Sequence, residues 1–279
     1  EGGGGIALLN GGAALISRTV FFDNFANSLG GGAMVIYDAA PTFVGCVFGA
    51  NSADFGGGVA NEIGAAPVYL NVTMTGNSAA IAPGVCNFQA GAEIRNSIIW
   101  GHTPDILNLT GGSATVTYSC VGQSYPGAGN FNADPVFEPE TGPVRVYPLG
   151  AGSPAIDRGE NARVPMDELD LDGDGDRLEA WSLDLSGRAR FIDDPDSFDI
   201  GPGTAPIVDL GVSEFDPGPA GCNGADLSEP YGALDFSDVV AFLGAFAGME
   251  AIADLAAPIG SFDFSDVVAF LGAFGAGCP

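Results

Sequence analysis

Asn71-Val-Thr-Met74 repeats the pattern of Gly45-Cys-Val-Phe48 at a distance of 26 residues, and the same step leads back to Thr19-Val-Phe-Phe22 and on to Ser97-Ile-Ile-Trp100. The step defines two apolar columns: Phe22, Phe48, Met74 and Trp100, and Val20, Cys46, Val72 and Ile98. The same step links two polar pairs: Asn51 with Asn77, and Gly58-Val-Ala-Asn61 with Gly84-Val-Cys-Asn87. A fixed period of this length is typical of a solenoid.

We interpret the period as the coil of a right-handed parallel β-helix of about 26 residues per coil. Stacked strands place like residues over like residues, so the apolar columns are expected to face inward and the asparagines to lie at turns. An antiparallel sandwich would not keep columns at constant spacing, and the Val, Ile and Phe content disfavours a disordered Gly-rich segment. The predicted class is mainly β, with an irregular capping region and a small α-helical C-terminal domain.

Charge divides the 279-residue chain unevenly, with a net of −27 overall, −5 in residues 1–121 and −22 in the remainder. We predict three regions: 1–121 form the coils, 122–219 form the C-terminal cap with an acidic loop, and 220–279 form a loop-helix doublet. A cap would cover the open strand edges of the solenoid. Within it, Arg190 is expected to pair with Asp157 or Glu214, although unpaired surface charges fit the composition equally well.

Short motifs resemble those of secreted bacterial β-helix proteins. Gly31-Gly-Ala-Met34 and Phe48-Gly-Ala-Asn51 are similar to polymorphic outer-membrane protein repeats. Residues 90–216 resemble the choice-of-anchor Q region through Asn96-Ser-Ile-Ile-Trp100, Val116-Thr-Tyr-Ser119, Asn132-Ala-Asp-Pro-Val-Phe137, Gly152-Ser-Pro-Ala-Ile-Asp157, Asp184-Leu-Ser-Gly-Arg-Ala-Arg190 and Val208-Asp-Leu-Gly-Val-Ser-Glu-Phe215. The resemblance implies a bacterial β-helix outside the cell or on its surface, with a C-terminal anchor.

An acidic loop alternates four carboxylates, which belong to Asp170, Asp172, Asp174 and Asp176. Such alternation allows carboxylates to converge on one hard cation, and unneutralised carboxylates this close would repel one another. The full EF-hand pattern is absent because Trp181 occupies its twelfth position. We therefore expect Ca²⁺ here, and the alternative is an acidic turn without an ion.

The C-terminal region contains a loop-helix unit that occurs twice, first at Asp226–Asp238 and again at Asp254–Asp266, each time followed by VVAFLGAF. Apolar residues at Val239, Phe242 and Phe246 predict an amphipathic helix in each unit. Two cysteines, Cys222 and Cys278, bracket the doublet and suggest a disulfide and an oxidising compartment. The other cysteines lie in apolar, strand-like context and are expected to be buried thiols: Cys46, Cys86 and Cys120.

This doublet resembles dockerin domains that end in Gly-Cys-Pro, here Gly277-Cys-Pro279. The resemblance implies Ca²⁺ in the loops and a cohesin-like or other cell-surface partner. The implied ligands are Asp226, Ser228, Asp235 and Asp238 in the first loop, and Asp254, Asp263 and Asp266 in the second. The loops depart from the pattern: they are one residue longer, and Ala256 replaces an oxygen donor. Alternatively, Asp235 and Asp263 are helix N-caps and the disulfide takes the place of the metal.

Composition argues against several function classes. The chain has no lysine, which removes P-loop phosphate binding and Schiff-base chemistry. Its charge repels nucleic acids and anionic lipids, and no apolar run reaches the roughly 20 residues of a membrane-spanning helix. His102 is the only histidine, and we expect it to be a surface turn residue rather than part of a catalytic triad.

The combined prediction is a secreted, non-catalytic structural or binding β-helix, displayed through its C-terminal doublet. One alternative is a carbohydrate-active enzyme with a polysaccharide substrate. Residues 1–121 hold only four aspartates, which do not recur at the coil step, so they predict no carboxylate ladder. A second alternative is end-to-end self-assembly, since an uncapped solenoid end at Glu1 would expose strand edges.

Overall fold

The computed structural model describes residues 2–139, 145–167, 170, 173, 175–217, 225, 227–228, 234–249, 253, 255–256 and 261–276. The chain divides into two compact units, residues 1–216 and 217–279. Within the described ranges, no helix combines the length and apolar character that a membrane crossing requires.

Short strands dominate the described part of the first unit. In chain order they are β1 (Ile6–Leu9), β2 (Leu15–Ser17), β3 (Val20–Phe22), β4 (Ala33–Ile36), β5 (Thr42–Val44), β6 (Val47–Gly49), β7 (Ser52–Phe55), β8 (Val59–Glu62), β9 (Val68–Leu70), β10 (Thr73–Thr75), β11 (Ser78–Ile81), β12 (Val85–Phe88), β13 (Gly91–Arg95), β14 (Ile98–Trp100), β15 (Ile106–Leu109), β16 (Ser113–Thr117) and β17 (Cys120–Val121).

Each strand pairs in parallel with its equivalent in the next coil. Three five-stranded sheets result, β1-β4-β8-β12-β15, β2-β5-β9-β13-β16 and β3-β6-β10-β14-β17, and β7 pairs with β11 on a short fourth side. Ala33 pairs with Val59 and Val59 with Val85, so the register advances by the period of the sequence repeat. The predicted parallel β-helix and its period are therefore confirmed.

The coil length is not constant along the third sheet. Val20 pairs with Val47, Val47 with Thr73, and Thr73 with Ile98, so each of these coils is one residue shorter than the coil before it. The last coil is shorter still, because Ile98 pairs with Cys120. The sequence period is thus the value of the central coils, with gains and losses at the turns on either side.

These changes overturn part of the expected core columns. A shift of one residue moves a strand's side chains to the opposite face of the sheet. Phe21, not Phe22, pairs with Phe48, and its exposed fraction is 7 % against 38 % for Phe22. Ile99, not Trp100, pairs with Met74. The second expected column is also out of register, since Val20 and Ile98 align with Val47 and Thr73 instead of Cys46 and Val72.

Aromatic side chains stack along the interior of the solenoid. Phe21 stacks on Phe48 with ring centroids 4.9 Å apart, and Phe43 stacks on Tyr69 at 5.2 Å. Phe43 also meets Phe48 edge to face at 5.4 Å. Pairs of this kind add about 0.5–1.5 kcal/mol each to the free energy gained by burial. The three cysteines predicted to be buried thiols are buried and free: Cys46, Cys86 and Cys120.

A ladder of polar side chains follows the third sheet. The side-chain oxygen of Asn51 accepts hydrogen bonds from the backbone and side chain of Asn24, and Asn77 accepts the same pair from Asn51. His102 is the next rung, because its Nε2 accepts from the backbone N–H of Asn77 at 3.3 Å. Its Nδ1 lies 3.0 Å from Oδ1 of Asp105. The expectation that His102 is a surface residue is therefore wrong: its side chain is fully buried.

Residues 145–216, which we term the lateral segment, pack along the side of the solenoid. Their described regular structure is a single 3₁₀ turn at Asn161–Arg163. Val208 packs against Val44 of β5, and Leu210 packs against Ile98 of β14. The segment therefore covers the outer surfaces of several coils.

One buried ion pair lies within the lateral segment. Nη1 of Arg190 is 3.9 Å from Oε2 of Glu214, and the guanidinium also donates to two main-chain carbonyls. The predicted pair with Glu214 is therefore confirmed. Asp157, the other expected partner, contacts Asp209 instead: its backbone N–H donates to Oδ1 of Asp209 at 2.7 Å.

The second unit contains the two predicted amphipathic helices, α1 (Phe236–Ala247) and α2 (Phe264–Ala276). Phe242 of α1 stacks on Phe270 of α2 with centroids 4.2 Å apart. Val239 and Phe246 pack against the same apolar cluster. The face that the sequence pattern predicted to be apolar is therefore the face by which the helices form their core.

Candidate functional site

One carboxylate contacts the described residues of the loop that precedes α1. Oδ1 of Asp238 accepts hydrogen bonds from the backbone N–H groups of Leu227 and Ser228, both at 2.8 Å, and from the Ser228 hydroxyl at 3.2 Å. Oδ2 of the same residue accepts from the backbone N–H of Asp235 at 2.8 Å. Asp235 in turn caps the helix by accepting from the N–H of Ser237, which completes a capping box.

The second loop repeats this arrangement. Oδ1 of Asp266 accepts from the N–H groups of Leu255 and Ala256, both at 2.8 Å, and Oδ2 accepts from that of Asp263 at 2.9 Å. Asp263 accepts from the N–H of Ser265, as an N-cap does. Ala256 has no hydroxyl, so the second loop lacks the side-chain contact that Ser228 makes in the first loop. Among the described residues, this is the one difference between the hydrogen bonds of Asp238 and those of Asp266.

These hydrogen bonds stabilise the charged form of both aspartates. Burial acts to raise the pKa of Asp238, but the hydrogen bonds from Asp235, Ser228 and Leu227 outweigh it and lower the pKa below its usual value. The pKa of Asp266 is also lowered, first by the hydrogen bond from Asp263 and then, against the effect of burial, by those from Ala256 and Leu255.

The described contacts of these residues are those of helix caps: Asp235, Asp238, Asp263 and Asp266. Calcium in the loops stays a prediction, because two of its implied ligands, Asp226 and Asp254, lie outside the described residues. The predicted disulfide partners, Cys222 and Cys278, lie outside them as well.

Each helix also carries an apolar stripe on its exposed face. In α1 the stripe consists of Phe236, Val240 and Leu243 at positions i, i+4 and i+7, and in α2 the equivalent residues are Phe264, Val268 and Leu271. Phe236 and Phe264 are each 76 % exposed, and the other four are each more than half exposed. Because an α-helix has about 3.6 residues per turn, residues at i, i+4 and i+7 lie along one side of the helix. The core pattern of Val239, Phe242 and Phe246 does not include these residues, although an apolar surplus beyond the core positions is visible in VVAFLGAF.

The acidic loop is described only in part. Oδ1 of Asp170 accepts from the N–H of Gly175 at 3.0 Å, and Oδ1 of Asp176 accepts from that of Leu178 at 2.8 Å. Asp172 and Asp174 lie outside the described residues. The described contacts are those of a turn, and calcium binding at this loop stays a prediction.

A groove of about 340 Å³ lies on the solenoid. Its walls are mostly apolar. Among the described lining residues Glu62 is the one with a carboxylate, and burial raises its pKa. The lining residues are Leu29, Phe55, Glu62, Cys86, Phe88, Leu109 and Thr110. The groove is therefore suited to the apolar face of a ligand more than to an ion.

Comparison with known proteins gives no relative: no protein family, no curated protein and no solved structure matches the chain.

Proposed function

We propose that this chain is a secreted, non-catalytic β-helix that is displayed on a bacterial surface or scaffold through its C-terminal helical pair. The observation that carries the proposal is the duplicated apolar stripe on α1 and α2. An exposed apolar face on an otherwise acidic chain has a cost in solubility, and such faces mark surfaces that associate with another protein. Because the stripe occurs once in each copy of the repeated unit, a partner meets two equivalent sites.

Charge narrows the class of partner. Residues 217–279 hold eight acidic residues and no basic residue. A surface that accepts the stripes should therefore combine an apolar groove with a rim of arginine and lysine, because like charges across an interface oppose binding. This description fits an anchoring receptor of the cohesin type and does not fit an anionic lipid surface.

Retention of the full-length, fluorescently labelled chain on envelopes of the source organism tests the proposal. Replacement of both stripes, with Val240→Asp, Leu243→Asp, Val268→Asp and Leu271→Asp, should weaken retention at least 100-fold, because a buried carboxylate without a partner opposes association. Variants with only one stripe replaced should keep measurable binding. Helical circular dichroism confirms that each variant is folded.

The matched control replaces exposed apolar residues of the first unit, Leu15→Asp and Leu178→Asp, and should bind as the unmodified chain does. Equal retention of the stripe variant and the control would contradict the proposed interface. No retention of the unmodified chain, with calcium or with a chelator, would contradict anchoring altogether.

The groove beside Glu62 supports a second candidate, in which the solenoid binds a polysaccharide. Phe55 and Phe88 offer apolar surfaces to sugar rings, whereas glycoside hydrolysis needs a pair of carboxylates. Since the described lining supplies one, binding is favoured over cleavage. Glycan binding that survives Glu62→Gln but not Phe88→Ala would support the candidate, and glycan cleavage that Glu62→Gln abolishes would instead support the enzyme.

A further inference from the structure

Two carboxylates of one loop meet a third from about 40 residues earlier in the lateral segment. They belong to Asp157, Asp193 and Asp199, and one oxygen of each lies within 4.8 Å of one oxygen of the others. Asp193 and Asp199 are exposed, whereas Asp157 is completely buried, with 0 % of its surface accessible. The group therefore has one interior ligand and two ligands at the surface.

Backbone contacts fix this arrangement. The carbonyl of Asp157 accepts hydrogen bonds from the N–H groups of Ile200 at 2.9 Å and Gly201 at 3.0 Å, which holds the end of the 193–199 loop against residue 157. Inside the loop, the Asp194 carboxylate accepts from the N–H of Asp196 and the hydroxyl of Ser197. The Asp194 carboxylate therefore bonds within its own loop, and the carboxylates of Asp157, Asp193 and Asp199 face one another.

The buried member lacks the partners that a buried charge requires. Within the described part of the chain, neither carboxylate oxygen of Asp157 has a hydrogen-bond partner of good geometry, and the backbone N–H of Asp194 has only a minor effect on its charge. The adjacent arginine does not serve it, because the Arg158 guanidinium lies over the ring of Phe131, 4.5 Å from its centroid. Burial of a charged carboxylate without a partner lowers the folding stability by several kcal/mol. A positive charge bound beside Asp157 would offset this loss.

Electrostatics agree with the geometry. Burial raises the pKa of Asp157 to about 6, and the charges of Asp199, Asp193 and Asp194 raise it further, while a backbone N–H of Asp194 acts weakly in the other direction. The charges that act most strongly on this carboxylate are therefore negative. Either a proton or a cation must offset them.

We propose that Asp157, Asp193 and Asp199 bind a hard divalent cation of the calcium type, which fastens the 193–199 loop to the turn at residue 157. Ca²⁺ binds oxygens at 2.3–2.6 Å, so its coordination sphere is about 5 Å across and admits oxygens that are 4.8 Å apart. Ca²⁺ takes six to eight oxygen ligands, and the exposed side of the group leaves room for water to supply those that the carboxylates do not. None of the three residues belongs to the acidic loop at residues 170–176 or to residues 217–279.

Calorimetric titration of the full-length, chelator-treated chain with CaCl₂ tests the site. The double variant Asp193→Asn/Asp199→Asn should bind one Ca²⁺ fewer than the unmodified chain. It should also lose a calcium-dependent rise of at least about 5 °C in the melting temperature of the first unit. NaCl at matched ionic strength corrects for general screening of the charge of −27.

Two control variants separate this site from other acidic positions. Asp196→Asn, in the same loop but outside the group, and Asp170→Asn/Asp176→Asn, in the acidic loop, should keep the Ca²⁺ bound by the group and its stabilising effect. Asp157→Asn should lose the site and melt at a higher temperature than the unmodified chain when both are free of calcium. An unchanged stoichiometry in the Asp193→Asn/Asp199→Asn variant, or no calcium-specific stabilisation of the unmodified chain, would overturn the proposal.

Discussion

The helical pair and the lateral segment both bury carboxylates, but they stabilise opposite charge states. In the helical pair, four donors surround Asp238 and three surround Asp266, and the pKa of each is lowered. In the lateral segment, burial raises the pKa of Asp209 to about 7 and that of Glu214 well above its usual value, and Arg190 only partly offsets this. The balance between burial and hydrogen-bond donors therefore decides the effect of the charge: the donors outweigh burial at Asp238, and burial outweighs them at Asp209 and Glu214.

The difference also separates two structural roles. In the helical pair, the carboxylates accept hydrogen bonds from backbone N–H groups of the described loop residues, so the charge is part of what holds the fold. In the lateral segment, the apolar packing of Val208 and Leu210 against the coils holds the fold, and the charges are accommodated within it. Removal of the negative charge of Asp238 or Asp266 is thus expected to destabilise the helical pair. In the lateral segment, the destabilising change is removal of the positive charge of Arg190.

The largest expected effect comes from removal of the buried guanidinium. Arg190→Met leaves Glu214 buried without a cation, which should lower the free energy of unfolding of the first unit by about 3–5 kcal/mol at pH 7. Urea denaturation followed by the fluorescence of Trp181, which is buried in the lateral segment, measures the loss. Addition of Glu214→Gln should recover most of it. A double variant as unstable as Arg190→Met would show that packing, not charge, is responsible.

A smaller loss of stability is expected when the Asp238 carboxylate is removed from the first loop. Asp238→Ala removes four hydrogen bonds to a charged group and should destabilise the helical pair by about 3 kcal/mol. Ser228→Ala, which removes a single 3.2 Å contact, should cost about 0.5–1 kcal/mol. Loss of helical circular dichroism on heating measures both. Equal effects of the two variants would contradict the central role of Asp238.

An effect smaller than that of Asp238→Ala is expected at the ladder residue His102, whose imidazole lies beside the buried Asp105. Asn at this position can accept the hydrogen bond from Asn77 but cannot reach Asp105 as the ring does. His102→Asn should therefore cost about 1 kcal/mol. His102→Ala should cost about 2 kcal/mol, because the Asn77 N–H loses its acceptor and Asp105 loses the imidazole while it keeps the backbone N–H of residue 102. Thermal unfolding of the first unit distinguishes them, and a loss above about 3 kcal/mol for His102→Asn would show that asparagine does not fit the ladder.

The repeating parts of the fold were predictable because they lie between two changes of coil length. Asn51–Asn77 and Gly58–Gly84 fall in coils of 26 residues, where sequence step and structural register agree. Between Phe25 and Leu29 the first coil has one residue more than the next, as the bridges from these residues show. A turn can absorb such a residue without a sequence signal, while the strand after it changes face.

The missed residues have related explanations. His102 lies 25 residues after Asn77, in the shortened register, so a search at the period of the central coils finds no counterpart for it. The helix caps were predictable because Asp235 and Asp238 are close together in sequence and their geometry is local. Asp157 and Asp193 are joined only by the path of the lateral segment, which has no period, so no sequence pattern brings them together.

The most direct measurement is hydrogen exchange of the full-length chain at pH 7, 5 and 3.5 in the presence of a chelator, analysed separately for each unit. Burial raises the pKa of native Asp209 to about 7, so between pH 7 and 5 this group takes up a proton that the unfolded chain, with a pKa near 3.8, does not. The free energy of opening in the lateral segment should therefore rise as the pH falls, by at most about 1.4 kcal/mol per pH unit for each group. Asp209→Asn should reduce this rise.

For Asp238 and Asp266 the order is reversed. Their native pKa values lie below 3.8, so their contribution is complete above that pH and is lost as the pH falls through the native values. The account predicts that protection of the lateral segment rises from pH 7 to 5 while that of the helical pair stays constant and then falls toward pH 3.5. Parallel pH profiles in the two units would contradict it.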